Sequence, residues 1–189
     1  MANILIIYGT DEGQTKKIGE HIARLANSQG HQVMMMHGRA LPADISLTAY
    51  DGVIIGASIH VGQHQAYIRD FAKDNAYLLE QMPSAFYSVS LTASQNLPEA
   101  QAQVKAYLTE FTKQTGWHPM QVGVFGGALR YNQYGFIKKM IVKTISKNAG
   151  RPTDTSRDYE YTDWVAVDRF TVDFLAAVQP EHFSRSLTA

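Results

Sequence analysis

The chain has 189 residues, 45% of them apolar and 18% charged, which suits one domain with a real buried core. Its 17 basic and 17 acidic side chains cancel, so there is no global pull toward nucleic acid or an anionic membrane. The lack of cysteine excludes disulfides, thiol nucleophiles, cysteine-held zinc and iron–sulfur clusters, and no apolar run approaches the roughly 18–20 residues of a spanning helix.

Residues 4–8 (Ile-Leu-Ile-Ile-Tyr) read as a strand buried on both faces. They do not read as a secretory signal, because no cationic lead precedes them. After a break at 9–13, residues 14–29 carry Ile18, Ile22, Ala23, Leu25 and Ala26 at helical spacing, and Gly30 supplies a stop. A second strand is predicted over 31–36 and a third over 51–58. Residues 64–80 read as one helix with Tyr67, Ile68, Phe71, Ala72 and Leu78 or Leu79 inward. A strand over 83–90 follows. Pro98 then opens a helix that runs to about Thr115 and stops at Gly116. A strand over 118–126 precedes a last helix, capped at Thr162-Asp163 and ending at Val178.

This alternation of apolar strands with helices predicts an α/β fold: a doubly wound, five-stranded parallel sheet in the flavodoxin-like order 2-1-3-4-5, with helices on both faces. One domain is expected over 1–179. It carries an insertion at about 128–155, and a polar tail follows over 180–189.

Ligands of such sheets bind outside the carboxyl ends of the strands. There, Thr10, Asp11, Glu12, Gly13, Gln14 and Thr15 join the first strand to the first helix. A helix start offers N–H groups and a positive dipole end to an anion. Thr10 and Thr15 add hydroxyls, and Gly13 permits close approach of the backbone. Neither the dinucleotide pattern G-x-G-x-x-G nor the triphosphate pattern G-x-x-x-x-G-K-[ST] is present, which leaves a monophosphate. The rival reading is that Thr10 and Asp11 only cap the helix. Local sequence supports both, and the position after the first strand favours phosphate.

Two further loops share that edge: Ser58, Ile59, His60, Val61 and Gly62 after the third strand, and Ser90, Leu91 and Thr92 after the fourth. A planar isoalloxazine needs apolar or aromatic flanks and backbone partners for its rim. His60, Ile59 and Leu91 can flank it, so FMN is the expected cofactor. His60 and His64 stand at i, i+4 across a loop with no nearby carboxylate, so no metal is expected; two solvated histidines are the plain alternative.

Residues 128–153 contain Arg130, Lys138, Lys139, Lys143, Lys147 and Arg151 and no acidic residue. Within them, 136–147 reads as a helix with a lysine stripe and an apolar face of Ile137, Met140, Ile141 and Ile145. Such a helix can pack on the domain, dock on a membrane surface through 128–151, or clamp an acidic flat substrate through Arg130.

Taken with these features, the chain resembles the bacterial menaquinone-dependent protoporphyrinogen oxidases, a flavodoxin-fold family. The resemblance runs from Ile4 to about Val178. It is carried by Gly13-Gln14-Thr15, by residues 53–59 and 82–89, by Gly127-Ala128-Leu129-Arg130-Tyr131, and by Thr153-Asp154-Thr155 with Tyr161-Thr162-Asp163-Trp164. It implies FMN-dependent oxidation of protoporphyrinogen IX to protoporphyrin IX in haem synthesis, with electrons passing to a membrane quinone, menaquinone or ubiquinone. By match of motif, 10–15 would hold the phosphate, 58–62 and 90–92 would line the ring, and Arg130, Tyr131 and Lys139 would lie near the substrate. The chain departs from the family pattern at Gly9, where serine is common, over 93–103, and over 132–136. A cytoplasmic protein is expected, with peripheral contact on the cytoplasmic face of the inner membrane. A homo-oligomer is compatible with the sequence, and no catalytic base stands out. The alternatives are a flavodoxin-type electron carrier, which a neutral charge balance disfavours, and an NAD(P)H–quinone reductase.

Overall fold

The structure, a computed structural model, describes residues 1–129 and 158–178. The predicted helix at 136–147, most of the insertion and the tail at 180–189 lie outside the described residues.

In chain order the elements are β1 (Asn3–Gly9), α1 (Gln14–Ser28), β2 (Gln32–His37), β3 (Gly52–His60), β4 (Gln63–His64), α2 (Ala66–Asp74), α3 (Ala76–Glu80), β5 (Ser84–Ser90), α4 (Pro98–Thr115), β6 (Gln121–Gly126), β7 (Ala128–Leu129), β8 (Tyr159–Glu160) and α5 (Trp164–Val178). The long strands lie in the order β2-β1-β3-β5-β6, and every pairing among them is parallel. Counting only these strands, that is the expected 2-1-3-4-5.

Side chains of a strand alternate between faces, and the core divides accordingly. Ile4, Ile6, Ile54, Ala85 and Tyr87 pack with Ile18 and Ile22 of α1 and Phe170 and Phe174 of α5. Leu5, Ile7, Val53, Ile55 and Phe86 pack with Ile68 and Ala72 of α2, Phe111 of α4 and Trp117. The register sets Gly9 beside Ala57 and Ala57 beside Ser88. The loops that follow β1, β3 and β5 therefore emerge at one edge.

One prediction needs correcting. Residues 64–80 are not a single helix. Gln63–His64 fold back as β4, pairing antiparallel with His60 and Ile59 across a Val61-Gly62 turn. Both turn residues have positive φ, 48° and 80°, as a two-residue hairpin of this kind requires. The helix is interrupted again at Asn75, whose side-chain amide donates to the Phe71 carbonyl and competes with the backbone ladder. The other boundaries hold within a few residues: Pro98 opens α4, a left-handed Gly116 ends it, and Asp163 Oδ1 accepts from the Ala166 N–H as the cap of α5.

Candidate functional site

The loop from β1 to α1 enters the helix through Gly13 in the left-handed region (φ 85°), and no side chain caps the helix. The capping alternative is thus not realised. Thr10 Oγ1 accepts instead from the Gly13 N–H at 2.9 Å and tightens the loop. A Cβ placed on Gly13 would meet nothing within 4 Å, so the space above it is open. Thr15 is fully buried, and its hydroxyl has no hydrogen-bond partner. An orphaned buried hydroxyl costs about 1–3 kcal/mol. At an uncapped helix N-terminus it suits an anion with oxygen acceptors.

Three of the charged residues in and beside this turn have partners of their own. Lys16 pairs with Glu20 at 3.5 Å, and Lys17 binds Glu160. Burial alone would raise Glu160, but hydrogen bonds from Lys17, Trp164 and Gln14 hold its carboxyl below the usual range. Asp11 Oδ2 accepts from Gln65 at 3.2 Å and lies 3.7 Å from His60 Nδ1. The backbone N–H groups of this uncapped helix opening and the unpartnered Thr15 hydroxyl are donors that a monophosphate could use.

Three residues outside the expected phosphate and ring loops hold these loops together. Gln65, nearly buried, takes Ser58 from both sides: its Oε1 accepts from the Ser58 N–H at 3.1 Å and its Nε2 donates to Ser58 Oγ at 2.6 Å. Through Asp11 it ties the hairpin to the phosphate loop. Tyr87 of β5 is fully buried and donates to the Thr15 carbonyl at 3.0 Å. Its ring crosses Gly56, where an added Cβ would lie 1.9 Å from Tyr87 Cζ. Burial raises the Tyr87 phenol far above its ordinary value. Thr162, expected to cap α5, instead donates to the Gly126 carbonyl at 2.7 Å and accepts from Gln14 Nε2 at 2.8 Å. The segment leading into α5 thereby reaches the opening of α1.

The ring-flanking candidates separate. Ser58, Ile59, His60, Val61 and Gly62 form the arm and tip of the β3–β4 hairpin, with Val61 88% exposed. Ser90 is buried and accepts from the Ala93 N–H, which fixes the turn containing Leu91 and Thr92. Leu91 packs on Leu129 with Tyr159 and Tyr161, so it supports the loop as well as facing the edge. His64 is not solvated. It is buried, 2.8 Å from Ser88 Oγ and edge-on to Phe86 and Phe111. Burial, and then the nearby Arg69 charge, lower its pKa to about 3. Among the described residues no group of three His, Asp or Glu side chains could hold a metal ion, and no helix is long and apolar enough to cross a membrane. Arg130, Tyr131 and Lys139 lie outside the described residues.

Comparison with known proteins is consistent with this geometry. A model of the flavodoxin domain matches residues 5–156. The chain is 38% identical to a Leishmania major protein named protoporphyrinogen IX dehydrogenase [quinone], over 91% of this chain and 74% of that one. It is 36% identical to the protein of the same name from Escherichia coli K12, over 88% of this chain and 91% of that one. Among solved structures, oxidised flavodoxin 1 from Bacillus cereus superposes with a TM-score of 0.54 at 17% identity, covering 92% of this chain and 97% of that one, a likeness of fold.

Proposed function

The chain belongs to the flavodoxin-domain family and, within it, to the quinone-dependent protoporphyrinogen IX dehydrogenases, and from that premise we propose that it oxidises protoporphyrinogen IX with bound FMN and passes the electrons to a quinone. The observation that carries the cofactor is the orphaned Thr15 hydroxyl in the first turn of a helix that no side chain caps. FMN supplies the acceptor for electrons from the porphyrinogen and their donor to the quinone. The residues hold and orient it. Thr10, Gly13, Gln14 and Thr15 receive the phosphate, with Asp11 and Glu12 completing the turn. The hairpin 58–62 and the turn 90–92 flank the ring.

The rigidity that positions the ring comes from Gln65, which locks Ser58, and from Tyr87, which fixes the first turn of α1 from below. Oriented partners of this kind shorten the search for a reactive geometry. Within 128–151, the cationic and apolar run including Arg130, Tyr131 and Lys139 supports substrate contact and peripheral docking at the cytoplasmic face, where a membrane quinone is met.

The test is anaerobic. FMN-loaded protein is mixed with protoporphyrinogen IX while flavin absorbance is followed, and then with a menaquinone analogue. Bleaching by the porphyrinogen and recovery with the quinone are expected. Bleaching by NADPH alone, with porphyrinogen inert, would instead make it an NAD(P)H–quinone reductase.

A further inference from the structure

A cavity of about 430 Å3 lies beside the hairpin, lined in part by Asp11, Arg39, His60, Gln63, Tyr67 and Arg69. It is on the α2 side of the sheet: Tyr67 packs with the Phe86 and Phe111 core, whereas α1 packs with the core on the other face. The phosphate turn uses neither Arg39 nor Arg69, and Tyr67 borders it at Thr10. Yet the cavity touches the hairpin residues His60 and Val61, which flank the flavin ring in the reading above.

Its polar lining is incompletely satisfied. Tyr67 Oη is buried and makes no well-formed hydrogen bond within the protein, although Thr10 and Arg39 are its neighbours. Arg69 gives Nη1 to Gln63 at 2.8 Å and to Gln114 at 2.5 Å, while its buried Nε has no partner. The Arg39 guanidinium lies 4.6 Å over the Tyr67 ring, and among the described residues it pairs with no carboxylate. Asp11 is the one acid of the lining, and it is engaged by Gln65 and His60. Two guanidinium groups against one engaged carboxylate leave a net positive pocket. It holds fork-shaped donors suited to a planar oxyanion, and the apolar hairpin tip stands at its side.

We propose that this cavity binds a carboxylate arm of the flat tetrapyrrole substrate, with Arg39 as its main partner and Tyr67 and Arg69 completing the anion's hydrogen bonds. The proposal rests on the porphyrinogen reading and deepens it: one propionate is held behind the hairpin while the ring system lies over its tip. At about 430 Å3 the pocket falls in the size range of small-ligand sites, so it receives an edge of the substrate.

Protoporphyrin IX is air-stable and carries the same two carboxylates. It is titrated into the FMN-loaded full chain and followed by its absorbance, with protoporphyrin IX dimethyl ester as the uncharged probe and NADPH as the other bearer of an anionic group. Loss of a charge-assisted hydrogen bond should make Arg39→Gln bind the diacid about tenfold more weakly, and Arg39→Lys should restore part of the loss. The diester should bind both forms alike, and FMN affinity should be unchanged. Diacid binding by Arg39→Gln at wild-type strength would overturn the cavity's role and leave the proposed function standing. So would an Arg39 effect confined to NADPH. If wild-type protein bound no porphyrin at all, the substrate reading would fall and the carboxylate site with it.

Discussion

Gly13 and Gly30 form a matched pair at the two ends of α1. Their φ values are 85° and 84°, and a Cβ at either would meet nothing within 4 Å. Replacing either by alanine therefore brings the same backbone penalty and no collision. Holding an L-residue in the left-handed region costs about 1 kcal/mol. In a chain of this length that lowers Tm by roughly 2–4 °C. Both variants should show this shift without flavin. They should differ with it. Gly13→Ala puts a methyl group into the open space where the phosphate approaches the backbone, so FMN affinity, read by quenching of flavin fluorescence, should fall tenfold or more, on the order of 1.4 kcal/mol. Gly30→Ala should bind FMN like wild type. Equal FMN affinities for the two variants would refute the anion cradle, whatever their stabilities.

Thr15→Val removes a buried hydroxyl that has no partner. The flavin-free protein should be unchanged or more stable by about 1 kcal/mol, while FMN binding weakens and riboflavin binding does not; a stability loss above that size would mean the hydroxyl is already bonded. The His64 imidazole stays neutral in the fold down to about pH 3, against an ordinary value of 6.5. Between those values the unfolded state binds the extra proton, so stability is lost as pH falls, by up to ~1.4 kcal/mol per pH unit. Urea unfolding of His64→Gln across that range should show a flatter dependence, and an unaltered slope would remove His64 as its cause. Val61 holds φ 48° as a β-branched residue at an exposed tip. Val61→Asn should raise Tm by roughly 2–4 °C, and an unchanged or lower Tm would show that the turn is not strained.

The sheet is readable because its central strands β1, β3 and β5 are buried on both faces, so runs such as residues 4–8 are apolar throughout. The phosphate turn was readable because its residues are contiguous and its place after β1 is fixed by topology. Over residues 64–80 the sequence misleads, because their apolar spacing suits a helix at Ile68, Ala72 and Leu79, and nothing local marks His64 as the partner of Ile59. Gln65, Tyr87 and Thr162 act across sequence separations of 54, 72 and 148 residues, to Asp11, Thr15 and Gln14. No local pattern encodes such contacts. Arg39 and Tyr67 share a wall only because the end of β2 and the loop after it meet α2 at His37 and Arg39. His64 shows the same limit from the other side: its chemistry is set by Phe86, Phe111 and Ser88, all distant in sequence.

The central claim is that the opening of α1 grips a flavin by its phosphate, and comparing two flavins tests it most directly. FMN and riboflavin are titrated separately into flavin-free protein, and quenching of flavin fluorescence is recorded. FMN should saturate one site per chain, with riboflavin bound at least about tenfold more weakly because it lacks the dianion. Equal affinity for the two flavins, or no quenching by FMN, would contradict the account.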